Sequence, residues 1–407
     1  MYFRIIKTKK ICDTTNQLKE NRIAYIDGIR GMAALIVVFH HYLLSFYPRL
    51  FPANPDFVYS GGILQNTAIL SPLNILYNSS FAIGLFFVIS GYALSYKYFV
   101  SKNVEYLRSS TIRRYFRLEI PILFSVIVSY LLLKFGLYGN QAIAENYTHS
   151  TYWFGSLWNM NPDFFKMLKE GVYSSLFTGG TLSYNPVLWT MIIEFMGSIV
   201  VFAILALFGS SAKRFLIYGL LIIIIHVGFI PAFIIGLALC DYYHSEERKS
   251  SPSISVLMIL VFALYIGSYQ RIEVNSIWSI FNFISETDKS YPYIIAASFF
   301  LFAVINSNVL KRFFSTGIMQ FFGKISFSVY LLHLLVIGSL GSFLFNYFFG
   351  AMHISYIFSF VLMITLSSAA IVGLSYLMYR YIDLSGIRFS KWVYQKSFTG
   401  KETGIGE

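Results

Sequence analysis

Charged residues are scarce in this sequence, and their scarcity argues against a soluble fold. Asp, Glu, Lys and Arg make up 12% of the 407 residues, whereas a soluble domain carries about 25%. Hydrophobic residues make up 56%, and the mean hydropathy is +0.62. These values predict a protein that crosses a membrane several times. The net charge of +12 is not collected in one patch, so the sequence does not predict nucleic acid as a partner.

Cysteine is almost absent as well. Cys12 and Cys240 are the two cysteines of the sequence, and their spacing predicts neither a metal site nor a disulfide framework. The first 26 residues are polar and basic and contain no short apolar run before a small-residue cleavage site, so we predict no cleaved signal peptide. We therefore expect an N-terminal cytoplasmic tail at 1–26, a membrane domain at 27–380 and a cytoplasmic C-terminal tail at 381–407, without a fused soluble domain.

Long apolar runs are what the sequence has in abundance. Ten stretches have a length and composition compatible with membrane spans. They lie at roughly 29–47, 80–96, 119–136, 186–208, 210–227, 229–244, 253–269, 291–307, 325–348 and 355–379.

The fifth and sixth stretches are short halves of one apolar block, which could form one span or two. The distribution of Lys and Arg along the chain decides between these counts. With ten spans and a cytoplasmic N-terminus, 25 of the 31 Lys and Arg residues fall on cytoplasmic segments, as the positive-inside rule favours. A single span there would place the basic C-terminal tail outside. The sequence therefore predicts an all-α bundle of about ten transmembrane helices with both termini in the cytoplasm.

Two long connections, at 48–79 and 137–185, are predicted on the outer side. Within the second, the segment "DFFKMLKEGVYSSLF" at 163–177 places apolar residues at helical spacing. The pattern predicts an interfacial helix. Its apolar side would carry Phe164, Leu168, Val172 and Leu176.

Ionisable residues inside membrane spans are costly and are therefore candidates for function. The segment "RGMAALIVVFHH" at 30–41 ends in two histidines. At about 100° per residue, His41 falls about 20° from the direction of Arg30, whereas His40 falls about 80° away. His41 would lie roughly 16 Å further along the helix, near the middle of the membrane, on a stripe that also carries Asp27. We expect His41 to be the functional histidine and His40 to pack beside it.

Two other spans carry an ionisable residue at a similar predicted depth. Glu194 lies roughly 12 Å from the outer end of its span, and His333 roughly 14 Å from the inner end of its own. Ser326, Tyr330 and His333 share one helix face. We expect these groups to lie at a depth similar to that of His41, with Glu194 or His333 as candidates for fixing its tautomer. The sequence does not show whether they meet in space, and a purely structural role stays open for each of them. Three further residues lie near span ends, where anchoring suffices: His226, Asp241 and Arg380.

The cluster "TIRRYFRLEIP" at 111–121 precedes the third span. Arg114 and Arg117 are three residues apart and share a helix face. Arginines in this place can anchor the span through their charge alone, or they can bind phosphate in a fork geometry. The sequence leaves both interpretations open.

Five segments, in this order, resemble acyltransferase family 3, a family of integral-membrane O-acyltransferases. The family includes bacterial O-antigen and capsule acetyltransferases and nodulation-factor acetyltransferases. The resemblance runs from about residue 24 to 380. The segments are "YIDGIRGMAALIVVFHH", "LFFVISGYALS", "IRRYFRLEIP", "LWTMIIEF" and "GKISFSVYLLHL".

The resemblance implies roles for particular residues. Arg30 and His41 match the family's arginine and histidine eleven positions apart, and Tyr330 and His333 match its Tyr–x–x–His element. The remaining matches are Arg114 and Arg117 for the arginine motif, Glu194 for the glutamate after a tryptophan, and Ser90 and Gly91 for a small-residue turn. Asp27, His40, Ser90, Trp189 and Tyr330 are expected to line the substrate site. The form "WTMIIEF" departs from that of many bacterial members, which leaves the class of acceptor open.

The expected reaction moves an acetyl or similar short acyl group from acyl-CoA, with acetyl-CoA as donor and no metal, to a hydroxyl of a carbohydrate. A cell-surface polysaccharide or its lipid-linked precursor would be the acceptor, at a bacterial inner membrane whose lipids surround the protein. His41, Arg30, Glu194 and His333 are the expected catalytic residues. Arg30, Arg114 and Arg117 are expected to bind the donor.

The alternative is a secondary transporter or flippase for a lipid-linked or amphipathic solute, with the buried charges as a proton relay. Broken spans arranged as an inverted repeat would favour transport, and the sequence shows no such repeat.

Overall fold

The structure is a computed structural model that describes residues 23–51, 72–180, 182–226, 228–245, 253–269 and 290–398. Within these ranges the chain is helical and contains no β-strand. The longer helices are α1 (Ala24–Phe46), α2 (Ser79–Ser101), α3 (Val104–Lys134), α4 (Trp189–Phe208), α5 (Arg214–Ile224), α6 (Ile230–His244), α7 (Ser253–Gly267), α8 (Tyr291–Asn306), α9 (Gly317–Val336), α10 (Tyr356–Met378) and α11 (Leu384–Phe398).

Shorter helical segments connect or extend these helices. They are Pro48–Leu50, Pro72–Tyr77, Asn140–Ile143, Ala144–Thr148, Phe164–Lys169, Glu170–Ser174, Ser175–Phe177, Pro186–Leu188, Asn308–Phe314, Ile337–Gly341, Ser342–Phe345, Asn346–Ala351 and Tyr379–Asp383.

Each of the ten predicted spans overlaps one of the helices α1 to α10, but not all of these helices are long enough to cross a membrane. Among the described residues, six continuous helices meet the length and composition of a span, and α8 with the segment Asn308–Phe314, bent by 102°, makes at most a seventh. The helices α5, α6 and α7 have 11 to 15 residues, short of the roughly 20 residues that a bilayer requires. The predicted all-helical membrane bundle is confirmed. The count of ten and the side of the termini stay predictions.

Most of the predicted N-terminal tail and of the connection at 245–252 lies outside the described residues. The predicted C-terminal tail, by contrast, forms α11 over most of its length. This helix packs along α3: the rings of Phe116 and Phe389 lie 5.7 Å apart, and the Tyr394 hydroxyl donates to Glu105.

Two pairs of helices approach each other at glycines. A Cβ atom on Gly323 of α9 would lie 2.2 Å from the carbonyl oxygen of Asp27 in α1, and one on Gly236 of α6 would lie 2.0 Å from that of Val88 in α2. Membrane helices associate by such close packing of small residues, because lipid supplies no hydrophobic drive between them. The pairs α1–α9 and α2–α6 also make the most extensive helix contacts of the described chain.

The segment 163–177 is helical as predicted, but it runs along α3 instead of lying flat on a surface. The Phe164 ring contacts Tyr130, the Tyr115 hydroxyl donates to the Val172 carbonyl over 2.9 Å, and the Phe177 ring contacts Tyr115. As the residue number rises in this segment, it falls in the α3 partners. The segment therefore runs antiparallel to α3 for about four turns.

The chain then returns and starts α4 inside the bundle. The buried carboxylate of Glu170 accepts hydrogen bonds of 2.8–3.2 Å from the backbone N–H groups of Ser183, Tyr184 and Asn185. The Asn185 amide donates over 2.9 Å to the Leu331 carbonyl, about midway along the continuous helical stretch Gly317–Ala351 that begins with α9. These bonds hold the start of α4 next to α9 at the level of Leu331.

Candidate active site

Five helices, α1, α2, α3, α4 and α9, surround a cleft. Its space, part of which is open solvent, amounts to about 960 Å³. Most of the polar residues that the sequence singled out line this cleft, and they come from all five helices. The polar lining consists of Asp27, Arg30, Ser90, Arg114, Arg117, Thr190, Glu194, Lys324, Ser326, Tyr330 and Asp383.

One wall of the cleft is a buried ion pair. Arg114 of α3 donates to Glu194 of α4, and the two side chains are 8% and 15% exposed. Ser90 of α2 donates to the same carboxylate oxygen over 3.0 Å. A buried charge needs a partner of this kind, because it has lost its hydration. The structure thus brings together three predicted site residues and joins three helices through them.

The other cations of the cleft differ in what holds them. Arg30 lies 3.7 Å from Asp27 on its own helix. Arg117 and Lys324 are exposed, and neither forms an ion pair with a described residue. These two side chains are therefore the ones that can bind an anionic ligand without first leaving a carboxylate.

The predicted histidines meet in a second polar group, which lies outside the cleft lining. His333 of α9 and His41 of α1 join Nε2 to Nδ1 at 3.0 Å. His333 is fully buried, whereas His41 is half-buried. This contact brings the two predicted residues together in space.

Backbone carbonyls fix the tautomer of both imidazoles. The Nδ1 atom of His333 lies 3.0 Å from the Val329 carbonyl, which only accepts, so Nδ1 carries the proton and Nε2 of the neutral ring accepts. The Nδ1 atom of His41 faces that Nε2 and, at 2.9 Å, the Val37 carbonyl. Since both of these partners are acceptors, His41 is protonated at Nδ1. Its Nε2 atom keeps a lone pair and can act as a base.

Aromatic side chains cover the histidine pair. The Trp153 ring stacks on His41 with centroids 5.4 Å apart and planes 24° apart. The position of Trp153 is held through its neighbours, because the Asn140 amide donates to the Phe154 carbonyl over 2.6 Å. His40 is not among the residues that line the cleft, which differs from the expectation that it lines the substrate site. Its Nδ1 atom lies 2.8 Å from the Tyr77 carbonyl, so it packs beside His41.

The predicted convergence in depth is correct for the histidines and wrong for Glu194. Tyr330, one turn before His333, bonds Thr190 over 2.8 Å, and Glu194 is one turn further along α4 in the direction away from the histidines. Glu194 therefore lies about 10 Å from the level of His333. The prediction assumed that α4 starts at the membrane surface, whereas Asn185 holds its start inside the bundle.

His41 lies five residues before the end of α1 at Phe46, about 8 Å from that end. The helix begins earlier than predicted, so Arg30 is more than one turn inside it. The position of His41 near mid-membrane stays a prediction.

Trp189, predicted to line the site, points away from the cleft and is 45% exposed. Thr190 and Met191 line the cleft instead, because successive residues turn by about 100° around a helix. Among the boundary residues, Asp241 pairs with Arg214, and His226 is exposed. This is consistent with the anchoring and packing roles expected for boundary residues.

Sequence reasoning missed three residues. Lys324 lines the cleft, but it lies nine residues before His333, about 180° around the helix, so its spacing from His333 did not indicate it. Glu119 is 6% exposed, and neither of its carboxylate oxygens has a partner among the described residues. It is the first residue of a predicted span, and this position could have indicated it. Nothing in the sequence pairs Trp153 with His41. Among the described residues, no three His, Cys, Asp or Glu side chains form a metal-binding group.

The chain matches the model of a family described as an acyltransferase domain, over residues 23–380. It therefore belongs to acyltransferase family 3 and is a membrane acyltransferase. It is 23% identical to the acyltransferase R4 of a Phoma species, over 80% of this chain and 85% of that protein. It is also 23% identical to the O-acetyltransferase PaAT-1 of Phomopsis amygdali, over 93% of this chain and 86% of that protein. No solved structure matches the chain.

Proposed function

We propose that the protein transfers an acetyl or other short acyl group from acyl-CoA to a hydroxyl of a carbohydrate. The observation that carries the proposal is the arrangement of two polar groups on the same two helices. A cleft with exposed cations lies at one level of α1 and α9, and a histidine pair with a free Nε2 lies further along both helices. The cleft suits an anionic donor, and the histidine pair suits proton transfer.

In this proposal the donor enters the cleft from the cytoplasm. Arg117 and Lys324 bind its phosphates, the arginine through its planar fork. Arg30 lies about 16 Å from His41 along α1, so we assign it to donor binding and not to proton transfer. Arg114 and Glu194 hold each other and shape the wall of the cleft, which differs from the role of tautomer-fixing residue expected for Glu194.

His41 acts as the general base in the transfer step. Its Nε2 atom takes the proton of the acceptor hydroxyl, and the hydroxyl oxygen attacks the thioester carbonyl of the donor. The tetrahedral intermediate collapses, the carbon–sulfur bond breaks, and the leaving sulfur takes the proton from His41. The ester and free CoA are the products. His333 accepts from Nδ1 of His41 and so keeps the ring in the tautomer that exposes Nε2.

The acceptor approaches His41 from the side of Trp153. An aromatic ring beside the base offers an apolar face on which a sugar ring can stack, while the sugar hydroxyl points to Nε2. The resemblance to bacterial polysaccharide acetyltransferases supports a cell-surface glycan or its lipid-linked precursor as acceptor, and a bacterial inner membrane as the location. The choice of a glycan as acceptor rests on this resemblance alone.

Release of free CoA by purified protein tests the proposal. The protein is given acetyl-CoA with and without a lipid-linked oligosaccharide, and the new thiol is measured together with acetyl ester on the glycan. We expect acceptor-dependent thiol release that is lost in His41→Ala. No thiol release with any short acyl-CoA, together with movement of the lipid-linked glycan across vesicles, would instead establish the transporter.

A further inference from the structure

Three helices continue from the cleft towards one end of the bundle, and each carries a cation there. On α2, Lys97 follows the cleft residue Ser90 by seven positions, which is about 20° from the same face. On α3, Arg113 lies one turn before the cleft residue Arg117. On α11, Lys391 follows Asp383, which also lines the cleft.

The contacts of α11 place Lys391 opposite Arg113. A Cβ atom on Gly386 would lie 3.4 Å from Ile120, the Phe389 ring contacts Phe116, and Tyr394 bonds Glu105 further along α3. The two helices are thus antiparallel, and Lys391 falls between the Phe116 and Glu105 contacts. The helix α11 lies beyond residues 23–380, over which the family model matches.

These cations face one another without a carboxylate to balance them. Lys391 lies within electrostatic range of Arg113, Lys97 and Arg117, and none of the four forms an ion pair with any described residue. The nearby Glu105 accepts from Tyr394 and lies 3.9 Å from Arg108.

Other contacts orient two of these cations. Lys97 lies over the Tyr106 ring at 4.8 Å, and Arg113 donates from Nε to the Ser109 carbonyl over 3.1 Å. The terminal nitrogens of Arg113 form no hydrogen bond with a described residue. Like charges held this close repel, and a bound polyanion would offset the repulsion.

We propose that Lys97, Arg113 and Lys391 form a second anion site, at the mouth of the cleft, that binds the 3′-phosphate of CoA. The inference rests on the proposed function. The CoA diphosphate lies at Arg117 and Lys324 inside the cleft, and the ribose 3′-phosphate lies at the mouth. Its two negative charges match a site of three cations. The donor is then bound at two places, and Lys391 of α11 contributes to the selectivity for CoA.

The test compares two donors, acetyl-CoA and acetyl-dephospho-CoA, which lacks only the 3′-phosphate. The full-length enzyme is purified and assayed as wild type, as Lys391→Glu and as the matched control Lys396→Glu. Lys396 lies on the same helix about 140° away and contacts Trp392, so its substitution makes the same charge change outside the site. The variant Lys391→Gln removes the charge without adding a repulsive one.

We expect KM for acetyl-CoA to rise by about 10-fold in Lys391→Gln, the value of one weak charge-assisted bond, and further in Lys391→Glu, with kcat unchanged. KM for acetyl-dephospho-CoA should stay near that of wild type in Lys391→Gln, because this donor never had the contact. The control Lys396→Glu should discriminate between the donors as wild type does.

An equal rise of KM for both donors, or none for either, would overturn the inference while the proposed function stands. The same phosphate chemistry occurs in anionic lipid headgroups. If Lys391→Glu instead reduced binding of phosphatidic acid to the detergent-purified enzyme and left both KM values at the wild-type level, the site would belong to lipid. Absence of any wild-type turnover with acetyl-CoA would overturn the proposed function itself. The mouth site would then be tested by binding alone: 3′,5′-ADP that binds to wild type but not to Lys391→Glu would support the site, and equal binding to both would overturn it.

Discussion

The histidine pair and the Arg114–Glu194 pair are both contacts between polar side chains, but the first is uncharged and the second is an ion pair. Each joins polar side chains from two distant helices at a buried place. The histidines form an uncharged contact that uses one nitrogen of His41 and leaves the other open. Arg114 and Glu194 hold each other as opposite charges, and Ser90 adds a further bond. The comparison teaches that buried polar side chains of one bundle can leave a nitrogen available, as the proposed proton transfer requires, or can pair with each other at the wall of a cleft.

Removing the base should have the largest effect. We expect His41→Ala to lower kcat by about 10³-fold or more, near the upper range for loss of a positioned general base, while the protein still inserts and purifies as a monodisperse peak. His40→Ala is the control, because it keeps His41 on the same helix and loses a bond to the Tyr77 carbonyl and ring contacts with His41 and Phe51. An active His41→Ala enzyme and an inactive His40→Ala enzyme would reverse the assignment.

Breaking the ion pair should act on stability. Glu194→Gln leaves the Arg114 charge buried without its partner, which costs about 3 kcal/mol, the low end of the range for buried pairs. We expect a clearly lower Tm in detergent. The double variant Arg114→Met/Glu194→Leu should regain most of that loss, since an apolar pair of similar size is tolerated. A Tm of Glu194→Gln equal to that of wild type would show that the pair contributes little to stability.

Changing the partner of the base should have a smaller effect than removing the base. We expect His333→Phe to reduce kcat by roughly 10²-fold, because His41 keeps Nε2 but loses the acceptor that orients it. KM for the donor should not change, since His333 lies outside the cleft. The variant His333→Gln keeps an acceptor oxygen and should recover part of the rate. A purely structural role would instead lower Tm in parallel with kcat and show no such recovery.

The exposed arginine of the cleft should affect the donor alone. Arg117→Lys keeps the charge but loses the fork, so we expect KM for acyl-CoA to rise by roughly 10- to 150-fold, as one charge-assisted bond allows. Acceptor affinity should stay near normal. Wild-type donor affinity in both Arg117→Lys and Arg114→Lys would return the two residues to the role of topology signals.

The last prediction concerns topology, and its expected result is that a thiol reagent does not label the introduced cysteines. We predict that residues 97–118, 245–252 and 308–323 are cytoplasmic, which puts the cleft on the donor's side and Trp153 on the other. In a background without Cys12 and Cys240, single cysteines at 245–252 should resist an impermeant thiol reagent added to intact cells. A cysteine introduced at Tyr152, which is exposed beside Trp153, should label and serves as the positive control. Labelling at 245–252 would overturn the ten-span topology.

The sequence was sufficient to predict the features that depend on composition and on helical geometry. Apolar length placed all ten predicted spans on helices, and the 20° offset of His41 from Arg30 distinguished it from His40. Features set by tertiary contacts were missed. The start of α4 depends on a hydrogen bond from the Asn185 side-chain amide to the Leu331 carbonyl, 146 residues away. The predicted depth of Glu194 was therefore wrong. The stacking of Trp153 on His41 depends in the same way on how a long connection folds back.

The close approach at Gly323 has a consequence for where variation in rate can arise. Gly323 and His333 are ten residues apart on α9, about 15 Å along one stiff helix, and Gly323 sits against the Asp27 carbonyl of α1. The spacing between the two imidazoles therefore depends on a contact at the wall of the cleft, about 15 Å from them along α9. A methyl group added there would push α1 and α9 apart. Because α9 is stiff, that displacement would also misalign the two histidines. Natural or laboratory selection for slower or faster turnover thus has a target far from the chemistry, at a residue with no side chain of its own.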